Sequence, residues 1–263
     1  MRYSGHWLCR RHFLELFERR VKKTVRQGSL LGGSDVVLAC LSGDEASMTC
    51  LKMLDDIIRP NPRSKIVAVS VDEGVGRDFG KVARYCEKLG IEYHALSFKE
   101  ELGFSLDGAM KKVRGEGAPA CMVCRLLARR VISDFARKVG ASKVATGHDL
   151  DDEIRSAFID VVSGDLGGRG SQKGGYSAVS WIRPLRECSD DEVRFYARLM
   201  KIPYARKRCP HFGKSYDARV KRLLDGLDER HPGSKQQMLR SVDELSSIMG
   251  GVEGRGEENL RLR

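Results

Sequence analysis

CMVCRLLARRVISDFARKVGASKVATGHDLDD, residues 121–152, is the stretch on which the reading of this chain turns. A Cys-x-x-Cys opens a helix that the pattern carries from about Cys124 to Val139. A short apolar strand, KVAT (143–146), follows it. A turn then brings His148, Asp149, Asp151 and Asp152 together, and a further helix runs from Asp151 to Val162. Soft sulfur ligands, cationic side chains and carboxylates thus stand at the ends of one helix–strand unit, which is the composition of a reaction centre.

The same alternation extends in both directions. DVVLAC (35–40) is a continuous apolar run of strand length, followed by the turn LSGDEAS (41–47) and a helix from Ala46 to Ile58 with Met48, Leu51, Leu54 and Ile57 in register. KIVAVSVDEG (65–74) is a second strand ending on Asp72 and Glu73. Residues 78–90 are a helix and IEYHALSF (91–98) a third strand, whereas KEELGFSLDG (99–108) reads as a loop. SAVSWIRPL (177–185) is a last strand, and helices are expected over 189–200, 215–230 and 234–249. Strands alternating with helices predict an α/β fold, a Rossmann-like doubly wound parallel sheet with helical appendages at both ends. Ligands of such sheets bind outside the carboxyl ends of the strands. Ser42, Asp72, the loop before Cys121 and the His148 turn all fall there and are expected to meet in one cleft.

At 263 residues with 41% hydrophobic content, the chain suits one α/β domain with appendages. The division expected is a basic helical segment over 1–30, the main domain over 31–186, a helical segment over 187–250 that completes the cleft, and a flexible tail over 251–263. The formal charge is +11, from 47 Lys+Arg against 36 Asp+Glu. Residues 1–30 carry eight Lys/Arg and two Glu. This excess suits a polyanionic partner, RNA or DNA rather than a membrane; a charge-rich solvated surface is the plainer account. HFLELFERRVKKTVR (12–26) sets Phe13, Leu14, Phe17, Val21 and Val25 on one stripe, with Arg19, Arg20, Lys22, Lys23 and Arg26 mostly elsewhere. No apolar run approaches the ~20 residues that span a bilayer, and no signal segment is read at the start. A cytoplasmic location is expected, and with it reduced cysteines.

Cys40, Cys50, Cys86 and Cys188 read as structural, among apolar neighbours. Cys9, Cys121, Cys124 and Cys209 do not. Cys9-x-x-His12 is half a zinc site with no second pair nearby. Cys121 and Cys124 fit a redox pair, half of a zinc site completed by His211 or Cys9, or, with Cys209, the three thiolates of a [4Fe–4S] cluster with one open iron. Ordinary unligated cysteines remain a fourth reading. Asp151 or Asp152 just inside a helix start is a common cap; the functional alternative is a carboxylate for Mg²⁺ or for orienting a nucleophile. The glycine-containing turn at Ser42 aims amide groups at a phosphate. SGDLGGRGSQKGGYS (163–177), with six Gly, reads as a flexible loop near the cleft.

Several stretches together resemble the PP-loop ATPases, and within them the tRNA 2-thiolation enzymes: LCRRHFLELFERRVKKTV (8–25), VSVDEGVG (69–76), LSFKEELGFSLDG (96–108), CMVC with ARR (121–130), KVATGHDLDDE (143–153), SGDL (163–166), IRPLRECSDDEV (182–193) and RCPHFGKSYDARVKRLLDGLDERHPGSK (208–235). The resemblance implies an ATP pyrophosphatase domain. It adenylates the C2 oxygen of a tRNA uridine, then exchanges AMP for sulfur supplied at the open iron of a cluster on Cys121, Cys124 and Cys209. Asp152 matches the catalytic carboxylate of the family's GHxxDD turn. Ser42, Gly43, Ser47, Asp72, Gly147 and His148 are the expected ATP- and Mg²⁺-binding positions. tRNA and a ubiquitin-like sulfur carrier are the implied partners, with a homodimer or a pairing with an active paralogue as possible assemblies.

The chain departs from the family where the nucleotide phosphates would sit. The family's SGGxDS loop, commonly with Lys at x, reads Ser42-Gly43-Asp44-Glu45-Ala46-Ser47 here. A carboxylate ~4 Å from a phosphate costs about 4 kcal/mol at an effective dielectric of about 20. Ala128 stands where the family has Arg or Lys, although Arg129 and Arg130 follow. Only Cys9 and His12 match the family's N-terminal zinc finger, and no stretch of residues 1–263 is expected to form its C-terminal zinc module. Three functions follow: an active tRNA uridine 2-sulfurtransferase, a catalytically impaired paralogue that binds tRNA or a cluster as a partner subunit, or another PP-loop ligase acting on a different substrate.

Overall fold

The computed structural model describes residues 7–113, 120–164, 179–205 and 216–260, with the side chains of 163 and 249–260 left aside. Five strands, β1 (Val36–Cys40), β2 (Lys65–Asp72), β3 (Glu92–Ser97), β4 (Lys143–Thr146) and β5 (Ser180–Ile182), form one sheet in the order β3-β2-β1-β4-β5. Every pairing is parallel. The helices are α1 (Arg10–Gln27), α2 (Glu45–Ile58), α3 (Gly80–Leu89), α4 (Phe98–Leu102), α5 (Leu106–Lys112), α6 (Ala120–Lys138), α7 (Leu150–Ser163), α8 (Asp190–Leu199), α9 (Tyr216–Arg230) and α10 (Ser234–Leu260). The order reverses between β1 and β4, which is where a doubly wound sheet opens its ligand crevice.

The apolar runs of the strands are explained by burial on both faces. Val37, Ala39, Ile66, Ala68, Ala145 and Ile182 pack on one side, with α1, α2, α3 and α8. Leu38, Val67, Val69 and Val144 pack on the other, against Phe135 and Ala136 of α6. α1 is part of the main core through Phe13, Phe17, Val21 and Val25, and Phe17 stacks on Tyr196 of α8 at 4.3 Å. Arg20 departs from the outward basic face: it is turned inward and pairs with Glu192 at 2.6 Å. A smaller cluster of Leu150, Ile154, Val220, Leu224 and Leu239 joins α7, α9 and α10.

Two expectations about local structure are corrected. The stretch 99–108 is not a loop but carries α4 and α5. Ser97 and Ser105 cap their N-termini by accepting from the amides of Glu100 and Gly108. Phe98 and Leu106 are buried against Val131 of α6, so short polar stretches are held as helix by two caps and two anchors. The last helix also does not stop near 249: α10 continues to Leu260. Its Glu, Arg and Leu are good helix formers, and each interposed Gly costs about 1 kcal/mol without breaking the hydrogen-bond ladder. The loop expected over 163–177 falls almost wholly outside the described residues, as does Cys209.

Candidate active site

The β1–α2 turn is built by its own side chains. Gly43 has φ 84°, a left-handed conformation that favours glycine. Its amide donates to Ser47 Oγ at 3.2 Å. The carboxylate of Asp44 caps α2, accepting from the Ser47 amide at 2.8 Å. A carboxylate of the chain itself therefore holds the amide end of α2, where an anion would otherwise be stabilised.

The turn after β4 lies directly against this loop. A Cβ placed on Gly147 would stand 2.6 Å from Ser47 Cα, so only glycine permits the approach. His148 follows, its Nδ1 2.7 Å from Thr146 Oγ1. It is open to the cleft yet walled in by protein, and that enclosure lowers its imidazole pKa. Asp149 caps α7 by accepting from the Asp152 amide at 2.9 Å. Burial, followed by the neighbouring Asp152, Asp151 and Asp190, raises the Asp149 carboxyl well above the usual carboxylate range. Asp152 pairs with Arg155 at 2.5 Å, and Arg155 Nε lies 3.7 Å from Asp217 on α9.

Asp151 points away from the cleft. Its Oδ2 accepts from the Asp190 amide at 2.8 Å, and its Oδ1 pairs with buried Lys235 at 2.5 Å. Burial pushes the Asp151 pKa up, but the Asp190 amide and the Lys235 ammonium outweigh it and leave the pKa lowered. The two readings of this acidic turn are thereby divided among its residues: Asp149 caps, Asp151 clamps the C-terminal helices, and Asp152 faces the cleft.

The cleft is a cavity of about 680 Å³ across the carboxyl ends of β2, β1, β4 and β5. Of the expected site residues, Ser42, Ser47, Gly147, His148 and Asp152 line it. Gly43, Asp72, Cys121 and Cys124 do not. Asp72 closes a local turn by accepting from the Gly74 amide at 2.9 Å. Its neighbour Glu73 reaches the cleft instead, 3.0 Å from Arg77. Burial raises the Glu73 pKa, with Arg77 opposing it. Glu45 is absent from the lining, whereas Asp44 and Ala46 are in it.

Cys121 and Cys124 lie one turn apart in the first turns of α6, both half-buried, and Cys124 packs beside the Phe98–Leu106–Val131 cluster. Residues three apart share a helix face, so the two sulfurs can reach one soft metal centre. Among the described residues no group of three or more metal-ligating side chains converges, and Cys9 with His12, 3.5 Å apart, stays a pair. The third expected ligand, Cys209, lies outside the described residues. The chain before it is fixed to the β1–α2 turn, with the Ala205 amide donating to Gly43 O at 2.8 Å; Asp217, after it, reaches Arg155. Cys50, Cys86 and Cys188 are buried, and burial raises their thiol pKa values, to about 12 for Cys50 and about 11 for Cys86. Cys40 borders the cleft, but its thiol pKa is likewise raised by burial.

Residue-by-residue reading passed over Trp181, Arg183 and Glu153, all in the cleft wall. Arg183 pairs with Glu153 at 3.0 Å, and Arg129 lies over the Trp181 ring at 5.2 Å. SAVSWIRPL read as the last strand, but the stretch does not say which of its side chains would face the cleft.

This parallel sheet, with the loop after β1 and the acidic turn after β4 meeting in one cleft, is the arrangement expected of the PP-loop fold that the sequence resembles. No protein-family model matches the chain. It is 30% identical over 281 aligned positions to the tRNA 2-thiolation protein NcsA of Haloferax volcanii, with 99% of this chain and 87% of that protein covered. It is 29% identical to cytoplasmic tRNA 2-thiolation protein 1 of Bos taurus, over 92% of this chain and 73% of that one. Among solved structures, the U34-tRNA thiolase NcsA from Methanococcus maripaludis, determined with its [4Fe-4S] cluster, superposes with a TM-score of 0.82 at 28% identity, covering 93% of this chain and 83% of that one. The chain belongs to the tRNA 2-thiolation protein family.

Proposed function

We propose that this protein is an ATP-dependent tRNA uridine 2-sulfurtransferase. The observation that carries the reading is the contact of Gly147 with Ser47, which sets the Asp152 turn against the phosphate loop in one cleft. ATP bound over Ser42–Ser47 would bring its α-phosphate to the uridine C2 oxygen beside Asp152. Pyrophosphate leaves as the C2–O–AMP bond forms. Sulfur then adds at C2, and AMP departs with the oxygen. Asp152, held by Arg155, is suited to orient Mg²⁺ or the reacting oxygen, and neutral His148 can donate or accept a hydrogen bond without bringing further positive charge.

The donor set suits a [4Fe–4S] cluster as far as it is described: two soft thiols on one helix face, with Cys209 as the proposed third. Such a cluster would supply an open iron at which the incoming sulfur is delivered. Zinc on the same thiols is the alternative. The exposed Arg10, Arg11, Arg19, Lys22, Lys23 and Arg26 of α1 suit contact with the tRNA backbone. A ubiquitin-like carrier is the proposed sulfur donor, the cytoplasm the proposed location, and a homodimer or a pair with an active paralogue the proposed assemblies. Among the described residues no helix is long and apolar enough to cross a membrane.

Asp44 favours a second reading, an impaired subunit, because its carboxylate stands where phosphate would bind. Anaerobic protein incubated with MgATP, unmodified tRNA and a sulfide donor separates the two. AMP and pyrophosphate release that depends on tRNA, together with 2-thiouridine in the product, is expected for the enzyme. Absence of both with every tRNA tried would refute it.

A further inference from the structure

We infer that Trp181, braced by Arg129, is the stacking platform for the target base of the tRNA; the inference rests on the function proposed above. The cleft has two sides, fixed by strand order. β2 and β5 stand three strand spacings apart, about 14 Å, with β1 and β4 between them. The phosphate loop follows β1 and Asp152 follows β4. A nucleotide whose phosphates lay on Ser42–Ser47 would have room for its base on the β2 side, where Leu41, Val69 and Val71 line the cleft. If it extended the other way, it would cover Asp152 and leave no place for a second reactant. The acceptor base must therefore approach Asp152 from the β5 side.

On that side the wall is Trp181, on the edge strand β5, with Arg129 of α6 over its ring at 5.2 Å. Trp181 is half-buried, packing on the Phe135 side of the sheet while also lining the cleft. An indole held in place by its own packing, with a planar cation over it, offers an aromatic surface that loses little freedom when a base stacks on it. Arg129 itself lies one turn beyond Arg125 on the same cleft-facing side of α6. The plainer account is that Trp181 only fills the sheet edge and Arg129 covers it.

The chain has two tryptophans, and the other, Trp7, is fully exposed. Trp7→Phe in the full, anaerobically purified protein therefore leaves Trp181 as the sole indole reporter. Adding unmodified tRNA is expected to quench its emission, while MgATP alone leaves the emission unchanged. Trp181→Leu is expected to raise the KM for tRNA about 10- to 100-fold, with the MgATP affinity held within about twofold. Trp181→Phe should keep most of the wild-type affinity for tRNA, and Arg129→Lys only part of it, since Lys keeps the charge but not the planar surface. Quenching by MgATP alone would assign the ring to adenine and overturn the inference. So would an unchanged KM for tRNA in Trp181→Leu, or equal losses of ATP and tRNA binding. The fluorescence titration needs binding and not turnover, so it decides the contact even where no AMP is released; missing tRNA-dependent AMP release would instead count against the proposed function.

Discussion

Removing the charge of Asp44 should tighten ATP binding. Its carboxylate caps α2 through the Ser47 amide at 2.8 Å and lines the cleft, so it shares the helix N-terminus with any bound phosphate. At ~4 Å the repulsion is about 4 kcal/mol at an effective dielectric of 20 and about 1 kcal/mol in bulk water. Asp44 is exposed, which places the effect toward the low end, about 1 to 2 kcal/mol, or about 5- to 30-fold in Kd. Asp44→Asn isolates the charge, because Asn caps a helix as well as Asp does. Asp44→Gly removes charge and cap together, at a loss of a few tenths of a kcal/mol in helix stability, or about 1 °C in Tm. Calorimetric titration of MgATP into the three proteins at fixed ionic strength measures the difference. Both variants should bind more tightly than the wild type, and the gain should shrink as free Mg²⁺ rises and screens the pair. If Asp44→Asn binds MgATP no more tightly, the carboxylate does not oppose the phosphates and the argument from the loop's charge fails.

Cys124→Ser and Cys209→Ser should each lower iron and sulfide content in anaerobic preparations and bleach the visible absorbance; unchanged iron in either variant would remove that residue from the ligand set. Asp152→Asn is expected to slow tRNA-dependent pyrophosphate release by about 10²-fold or more, with circular dichroism unaltered. Asp149→Asn keeps the cap on α7 but removes a buried charge whose pKa is raised. The folded state gains by protonating Asp149, so the variant should be more stable than wild type near pH 7, with the advantage fading as pH falls through that raised pKa. Thermal melts at several pH values test the sign. Lys235→Met removes the ammonium 2.5 Å from buried Asp151 and leaves only Lys221 at 3.9 Å, and should destabilise by up to about 3 kcal/mol, a fall in Tm of up to about 12 °C. In the wild type the depressed Asp151 pKa contributes stability that is present above the unfolded carboxylate pKa and lost as pH falls through the folded value; the variant, which keeps the Asp190 amide and Lys221, should lose the part of this acid dependence that Lys235 supplies.

The strands, most helices and the crevice position were legible in the sequence because they rest on local pattern. Val36–Cys40 and residues 66–69 are apolar throughout because both of their faces are covered, and the alternation of such runs with helical periodicity admits few topologies. The chemistry-bearing residue types, Cys-x-x-Cys and the His148–Asp152 turn, are likewise written in the chain, and so is the family. Other features depended on partners distant in sequence. α4 and α5 read as loop because their anchors, Phe98 and Leu106, find their apolar environment only beside Val131 of α6. The four residues from Asp149 to Asp152 include three similar carboxylates with three roles, separated by where helix geometry points each one: to an amide of its own helix, to Lys235 on α10, and to Arg155 at the cleft. Asp72 and Glu73 divide in the same way, the first closing its own turn and the second facing the cavity. Sequence by itself determined which elements form and which chemical groups are available, since backbone periodicity and residue type are local properties. Only the tertiary structure decided which of those groups share the cleft, because a side chain's direction, burial and charge environment are set by residues tens to hundreds of positions away.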